Sequence, residues 1–133
     1  MPLATSGGGY QFGDGNVNEV ELTPQPAATA YTATSITATM AELTTGILTS
    51  TNASAVALTL PTAALTDAAV PNARVDTAFE FVVINLGSAS GAVTMTAGTG
   101  WTLVGSATVA LTTSARFRAR KTGDAAWTLY RIA

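Results

Sequence analysis

The chain contains no histidine and no cysteine, and only 11% of its 133 residues are charged. Without histidine, no side chain ordinarily exchanges a proton near neutral pH, so a serine–histidine–acid triad is excluded. Without cysteine, disulfide bonds and thiolate metal ligands are excluded too. We therefore predict that the protein is not an enzyme, and that it holds neither a metal ion nor a cofactor.

The scarcity of charge also bears on partners. An average soluble domain has about 25% charged residues, so a surface this neutral makes most sense if other proteins cover much of it. The net charge is −2, which argues against a nucleic acid partner. Acidic residues dominate the first part of the chain, and basic residues dominate the segment from Arg116 to Arg131. This asymmetry predicts ion pairs between the two ends, within one chain or between subunits.

Long apolar runs are missing as well. No run approaches the ~18 residues that are needed to span a bilayer. The segment from Met1 to Gly9 has neither the basic part nor the apolar part of a signal peptide. We expect no signal peptide and no membrane partner.

Alanine and threonine, by contrast, make up about three eighths of the chain, but the first residues differ in composition. Glycines at 7–9 and the Pro24-Gln25-Pro26 segment predict an extended N-terminal arm over residues 1–28, followed by a β-domain over 29–133. Large apolar side chains are out of place in a solvated tail. We therefore predict that four of them anchor the arm on a partner: Tyr10, Phe12, Val20 and Leu22.

Beyond residue 29, short alternating segments recur every eight to twelve residues with glycine turns between them. This pattern predicts an all-β fold, a single antiparallel, jelly-roll-like β-sandwich. Thr39 and Glu42 have the spacing of a capping box, and Thr62 precedes helix-forming residues, so one or two short helical turns are expected. The segment from Phe79 to Leu86 is apolar on nearly both faces, which predicts a central or interfacial strand.

Arg116, Arg118 and Arg120 alternate along one predicted strand, with Phe117 and Ala119 between them. Alternation places the three guanidinium groups on one face and the other two side chains towards the core. A solvated strand face and an interface with carboxylates of a partner both explain this charged strip.

Asp76 and Lys121 are the candidate catalytic residues of the sequence. Asp76-Thr77-Ala78 matches the aspartic protease signature, and a dimeric protease would lose its activity in Asp76→Asn. The apolar strand that precedes this signature in those enzymes is missing. This favours the interpretation that these residues are a polar segment leading into the next strand. Lys121, the chain's lysine, lies beside a Gly-Asp turn and is interpreted as a surface residue.

Trp101, Trp127 and Tyr130 lie in alternating segments. Packing in the core or at a subunit interface explains them, and so does stacking on sugar rings. Both interpretations remain open, and the second predicts an exposed tryptophan.

Several segments of the chain carry a family resemblance through their order and spacing. They are Gly46-Ile47-Leu48, Leu58-Thr59-Leu60-Pro61-Thr62-Ala63, Phe79-Glu80-Phe81-Val82-Val83-Ile84-Asn85, Gly98-Thr99-Gly100-Trp101-Thr102-Leu103-Val104-Gly105, Arg116-Phe117-Arg118-Ala119-Arg120 and Leu129-Tyr130-Arg131-Ile132, together with the opening Tyr10-Gln11-Phe12-Gly13-Asp14-Gly15-Asn16. In this order, the segments between Thr39 and Ile132 resemble the β-sandwich head-decoration, or cement, proteins of tailed bacteriophages. The resemblance implies a homotrimer at the three-fold points of a capsid, bound to the major capsid protein on the outer surface of a virion assembled in the host cytoplasm, with no catalytic residues. Similar domains occur in tail fibres, so a receptor- or carbohydrate-binding β-domain is the alternative.

Overall fold

The computed structural model describes residues 22–133, and this part of the chain is mainly β-structure. Two short helices interrupt the strands: α1 (Met40–Leu43) and α2 (Ala63–Ala69). One sheet has six strands in the order β1, β3, β5, β9, β10, β7, and the other has four in the order β2, β4, β6, β8. The strands are β1 (Thr29–Tyr31), β2 (Ser35–Thr37), β3 (Ile47–Ser50), β4 (Val56–Thr59), β5 (Ala78–Asn85), β6 (Val93–Thr96), β7 (Trp101–Val104), β8 (Thr108–Val109), β9 (Ser114–Gly123) and β10 (Ala126–Arg131).

The predicted two-sheet, mainly β fold is confirmed, but the prediction that its strands are all antiparallel is wrong. From β1 to β6 the chain places successive strands alternately in the two sheets, so that β1, β3 and β5 are parallel neighbours, and so are β2, β4 and β6. β7 and β10 also pair in parallel. Among the described residues, antiparallel pairing is limited to β5–β9, β9–β10 and β6–β8.

The path of the chain explains the parallel pairs. A parallel neighbour requires a long crossover, whereas a tight hairpin produces an antiparallel one. The returns to the six-stranded sheet at β3 and β5 each pass first through a strand of the other sheet and then through a helix, α1 before β3 and α2 before β5. The jelly-roll prediction, which rests on antiparallel strands, is therefore not confirmed.

Helix α1 begins where the sequence predicts it. The Thr39 hydroxyl accepts a hydrogen bond from the Glu42 backbone N–H at 3.3 Å, and the Glu42 carboxylate accepts one from the Thr39 backbone N–H at 2.9 Å. These bonds satisfy two N–H groups that a helix start leaves without partners. Tyr31 donates its hydroxyl to the same carboxylate at 2.9 Å. Burial, and then the nearby Glu42 carboxylate, raise the pKa of Tyr31.

The core lies between the two sheets, because its cluster of buried side chains draws on both. Leu58 and Met95 come from the four-stranded sheet, whereas Phe81 and Phe117 come from the six-stranded one. The Phe81 and Phe117 rings stack with their centroids 5.7 Å apart. β5 is an interior strand of its sheet, as its apolar sequence predicts.

A buried amide also joins the two sheets. The side chain of Asn85, at the end of β5, donates hydrogen bonds to the carbonyl of Val109 in β8 at 3.2 Å and to that of Gly91 at 2.8 Å. Its oxygen accepts the Gly87 N–H at 3.0 Å. Each polar atom of this buried side chain is thereby satisfied.

Candidate functional site

The outer face of the six-stranded sheet carries the charged strip that the sequence predicts. Arg116 and Arg118 are exposed and Arg120 is half-buried, whereas Phe117 and Ala119 between them are buried. The predicted sidedness of β9 is therefore confirmed. By contrast, the outward positions of the four-stranded sheet carry no charge: they are Ser35, Thr37, Ala57, Thr59, Thr94, Thr96 and Thr108.

Two of the three arginines are paired within the chain. Arg118 donates to the Glu80 carboxylate, with its Nε 2.7 Å from the nearer oxygen. Arg120 binds Asp76 through its Nε at 3.1 Å and donates to the Tyr130 hydroxyl at 3.3 Å. The predicted pairing between the two ends of the chain therefore occurs inside one subunit.

Arg116 differs from its neighbours because its side chain makes no ion pair with any other described residue. The strand register places it opposite Val82 of β5, which in turn lies opposite Ile47 of β3. On its other side, the Ile132 N–H donates to the Arg116 carbonyl at 2.8 Å. We name Ile47, Val82, Arg116 and Ile132 the Arg116 row. It crosses the outer face of the six-stranded sheet with aliphatic groups on both sides of one cation.

The contacts of Asp76 and Lys121, the two candidate catalytic residues, give each of them a structural role. Asp76 lies just before β5, has a positive φ of 73° and binds Arg120, which fits a strand entry. The interpretation of Lys121 as a surface residue is wrong, because its side chain is only 11% exposed and its ammonium lies 3.0 Å from Asp67.

Asp67, in α2, also accepts the Ala125 N–H at 2.7 Å and the indole N–H of Trp127 at 2.8 Å. These two hydrogen bonds, and then the Lys121 ammonium, lower the pKa of Asp67, because all of them favour its ionised form. Asp67 therefore fixes α2 against β9 and β10.

Both tryptophans are buried: Trp101 is 7% exposed and Trp127 is 1% exposed. Their rings lie 5.8 Å apart, and the Trp101 indole donates to the Pro61 carbonyl at 2.7 Å. The exposed tryptophan that a sugar-stacking site predicts is therefore not found at either position. Core packing accounts for both residues.

Of the predicted arm anchors, Tyr10, Phe12 and Val20 lie outside the described residues, and Leu22 is 69% exposed. The arm is fixed a few residues further along. The Gln25 side chain donates to the Thr45 carbonyl at 2.6 Å, just beyond the end of α1.

A groove of about 640 Å³ opens where β2, β4 and β6 end. It was not predicted, since it exists only because these three strands run parallel and end at the same edge of the sheet. We name it the strand-end groove. In the part of the chain that the structure describes, its lining contains no charged residue and consists of Thr37, Ala38, Thr39, Met40, Thr59, Leu60, Pro61, Thr62, Leu65, Ala97, Gly98 and Thr99.

No family model, curated protein or solved structure matches this chain. Within residues 22–133, no three acidic side chains cluster as a metal site would require. In the same residues, neither helix is long and apolar enough to cross a membrane.

Proposed function

We propose that the protein is a non-catalytic virion protein that binds the outer surface of a tailed-phage capsid and cements the junctions between capsomers. The observation that carries this proposal is the Arg116 row on the outer face of the six-stranded sheet, where Arg116 is exposed and makes no ion pair with a described residue. The resemblance of the sequence to decoration proteins supports it. The major capsid protein and further copies of this chain, in a trimer, are the partners.

The chemistry of the row suits a protein surface. Arginine is enriched at the centres of protein interfaces, where its planar guanidinium binds a carboxylate through two hydrogen bonds. Ile47, Val82 and Ile132 supply aliphatic area beside it. The two sheets share one core cluster, which supports a single sandwich that would hold these side chains at fixed spacing.

Binding of this kind stabilises a capsid by mass action. A protein that binds only the mature lattice shifts the equilibrium towards that lattice. Contacts that are weak singly become strong together when subunits of a trimer engage several capsomers at once. No chemical step is involved.

Co-sedimentation with expanded, undecorated heads of the phage that encodes the protein tests the proposal. The full chain should bind saturably, and Arg116→Glu should bind at least about tenfold more weakly, which corresponds to about 1.4 kcal/mol. Arg74→Glu is the matched control, because Arg74 is exposed, lies off the sheet face and undergoes the same change of charge. It should bind like the wild type.

Raising the salt concentration should weaken the wild type more than Arg116→Glu, since salt screens exposed charges. Equal binding by Arg116→Glu and the wild type would show that the Arg116 row is not part of the interface. No binding by the full chain would reject the capsid role. The receptor-binding domain of a tail fibre would then be the hypothesis to test.

A further inference from the structure

The strand-end groove lacks an assigned occupant. It lies at the end of the four-stranded sheet, away from the Arg116 row, and its walls come from the residues that follow β2, β4 and β6. Leu65, in α2, lines it although 61% of the residue is exposed. An exposed leucine beside an apolar hollow is favourably covered by another apolar group.

One wall of the groove depends on a close backbone approach. A Cβ atom on Gly98 would lie 2.4 Å from the Leu60 carbonyl oxygen and 2.6 Å from that of Pro61. Glycine therefore lets the chain after β6 lie directly on the chain after β4, and this close contact forms one wall of the groove. A hollow of 640 Å³ is in the range of pockets that enclose a small ligand, and is large enough for aromatic side chains.

The chemistry of the lining limits what binds. None of the described residues that line the groove carries a charge that could pair with a phosphate, an ammonium or a carboxylate. The N-terminal part of the chain contains an uncharged aromatic pair of matching character, in the segment Gly9-Tyr10-Gln11-Phe12-Gly13. The glycines on both sides allow the backbone to bend closely around these rings.

The length of chain available makes the groove accessible to this segment. The Gln25 side chain holds the chain beside Thr45, which follows the C-terminal end of α1. Ala38, Thr39 and Met40, at the N-terminal end of α1, line the groove. Helix α1 spans only about 6 Å. The chain takes ten residue-to-residue steps from Phe12 to Leu22, and these span up to about 33 Å when extended.

We propose that the Tyr10-Gln11-Phe12 segment of each chain docks in the strand-end groove of the same molecule. A short tether holds the segment near its own groove at an effective concentration in the millimolar range, above that of other copies in dilute solution. Docking removes two aromatic rings from the surface of a charge-poor protein and so limits its self-association. The docking requires no capsid, so it stands or falls independently of the proposed function. It is an alternative to the predicted anchoring of Tyr10 and Phe12 on a partner, because here they bind their own chain.

Disulfide trapping in the full chain tests this assignment, because the natural sequence has no cysteine. The test pair is Gln11→Cys with Ala97→Cys, and Ala97 lies on the groove. The control pair is Gln11→Cys with Ala110→Cys, which is also exposed but lies at the opposite end of the four-stranded sheet. At low protein concentration the test pair should form an intramolecular disulfide at least about tenfold faster than the control pair, because docking raises the local concentration of the thiol.

A second variant shows whether the apolar contact holds the segment. Leu65→Glu in the test pair should slow trapping to the control rate, whereas Ala64→Glu, the exposed neighbour outside the groove, should leave it fast. Equal rates for the two pairs, or no effect of Leu65→Glu, would refute docking in the groove. Disulfides that link two chains instead of closing within one would overturn the assignment to the same molecule.

Discussion

At the scale of single residues, Asp67 has the most demanding position, because one carboxylate serves two N–H donors and a buried ammonium. Asp67→Asn keeps the shape but leaves the Lys121 ammonium without a counter-charge and disturbs the bonds to Ala125 and Trp127. We expect the free energy of unfolding to fall by about 3 kcal/mol in urea titrations, since removing one partner of a buried pair strands the other. Asp76→Asn, in an exposed pair with Arg120, should cost less than about 1 kcal/mol. Similar losses in the two variants would contradict this ranking.

The same carboxylate predicts a dependence on pH. The pKa of Asp67 is lowered in the folded state from its ordinary value of 3.8, so its contribution is complete above that value and is lost as the pH falls through the lower, folded-state pKa. The stability gap between the wild type and Asp67→Asn should therefore be constant above about pH 5 and narrow below about pH 4. A gap unchanged at about pH 3 would show that the charge of Asp67 is not what stabilises the fold.

The sequence reveals the arginines of β9 more readily than it reveals Asp67. Alternation places Arg116, Arg118 and Arg120 on one face without any knowledge of their neighbours. Asp67 and Lys121 lie far apart in the chain and meet only because α2 packs on the ends of β9 and β10. No local pattern marks that contact, so the sequence alone predicts a surface position for Lys121.

At the scale of elements, Asn85 makes the clearest link between the two sheets. Asn85→Ala removes the partners of the Gly91 and Val109 carbonyls and of the Gly87 N–H, all in a buried site. We expect a loss of about 3 kcal/mol in thermal or urea unfolding, since buried polar groups left without partners are costly. Asn72→Ala, in an exposed turn, is the control and should change stability by less than about 0.5 kcal/mol. A loss no larger than that of the control would mean that water replaces the amide.

Elements defined by adjacent residues were predicted well, and relations between distant elements were not. The capping box of α1 depends on two residues three positions apart, and the structure has both of its bonds. Alternation in β3 and β4 shows which side chains share a face but carries no information on the direction of the neighbouring strand. The parallel pairing, and the strand-end groove that it creates, therefore had no signal in the sequence.

At the scale of the whole molecule, the alternating path of the chain predicts an uneven distribution of stability. β5 and β9 are interior strands with long registers, whereas β1 and β8 are edge strands of three and two residues. Opening β1 breaks one ladder, whereas opening β9 breaks its pairing with both β5 and β10 and exposes Phe117. Native-state hydrogen exchange of the free, full-length protein should therefore show β5 and β9 opening only at a free energy close to that of global unfolding, with β1 and β8 opening well below it. Protection of β1 equal to that of β9 would contradict this order and would mean that opening the edge strand requires opening the core.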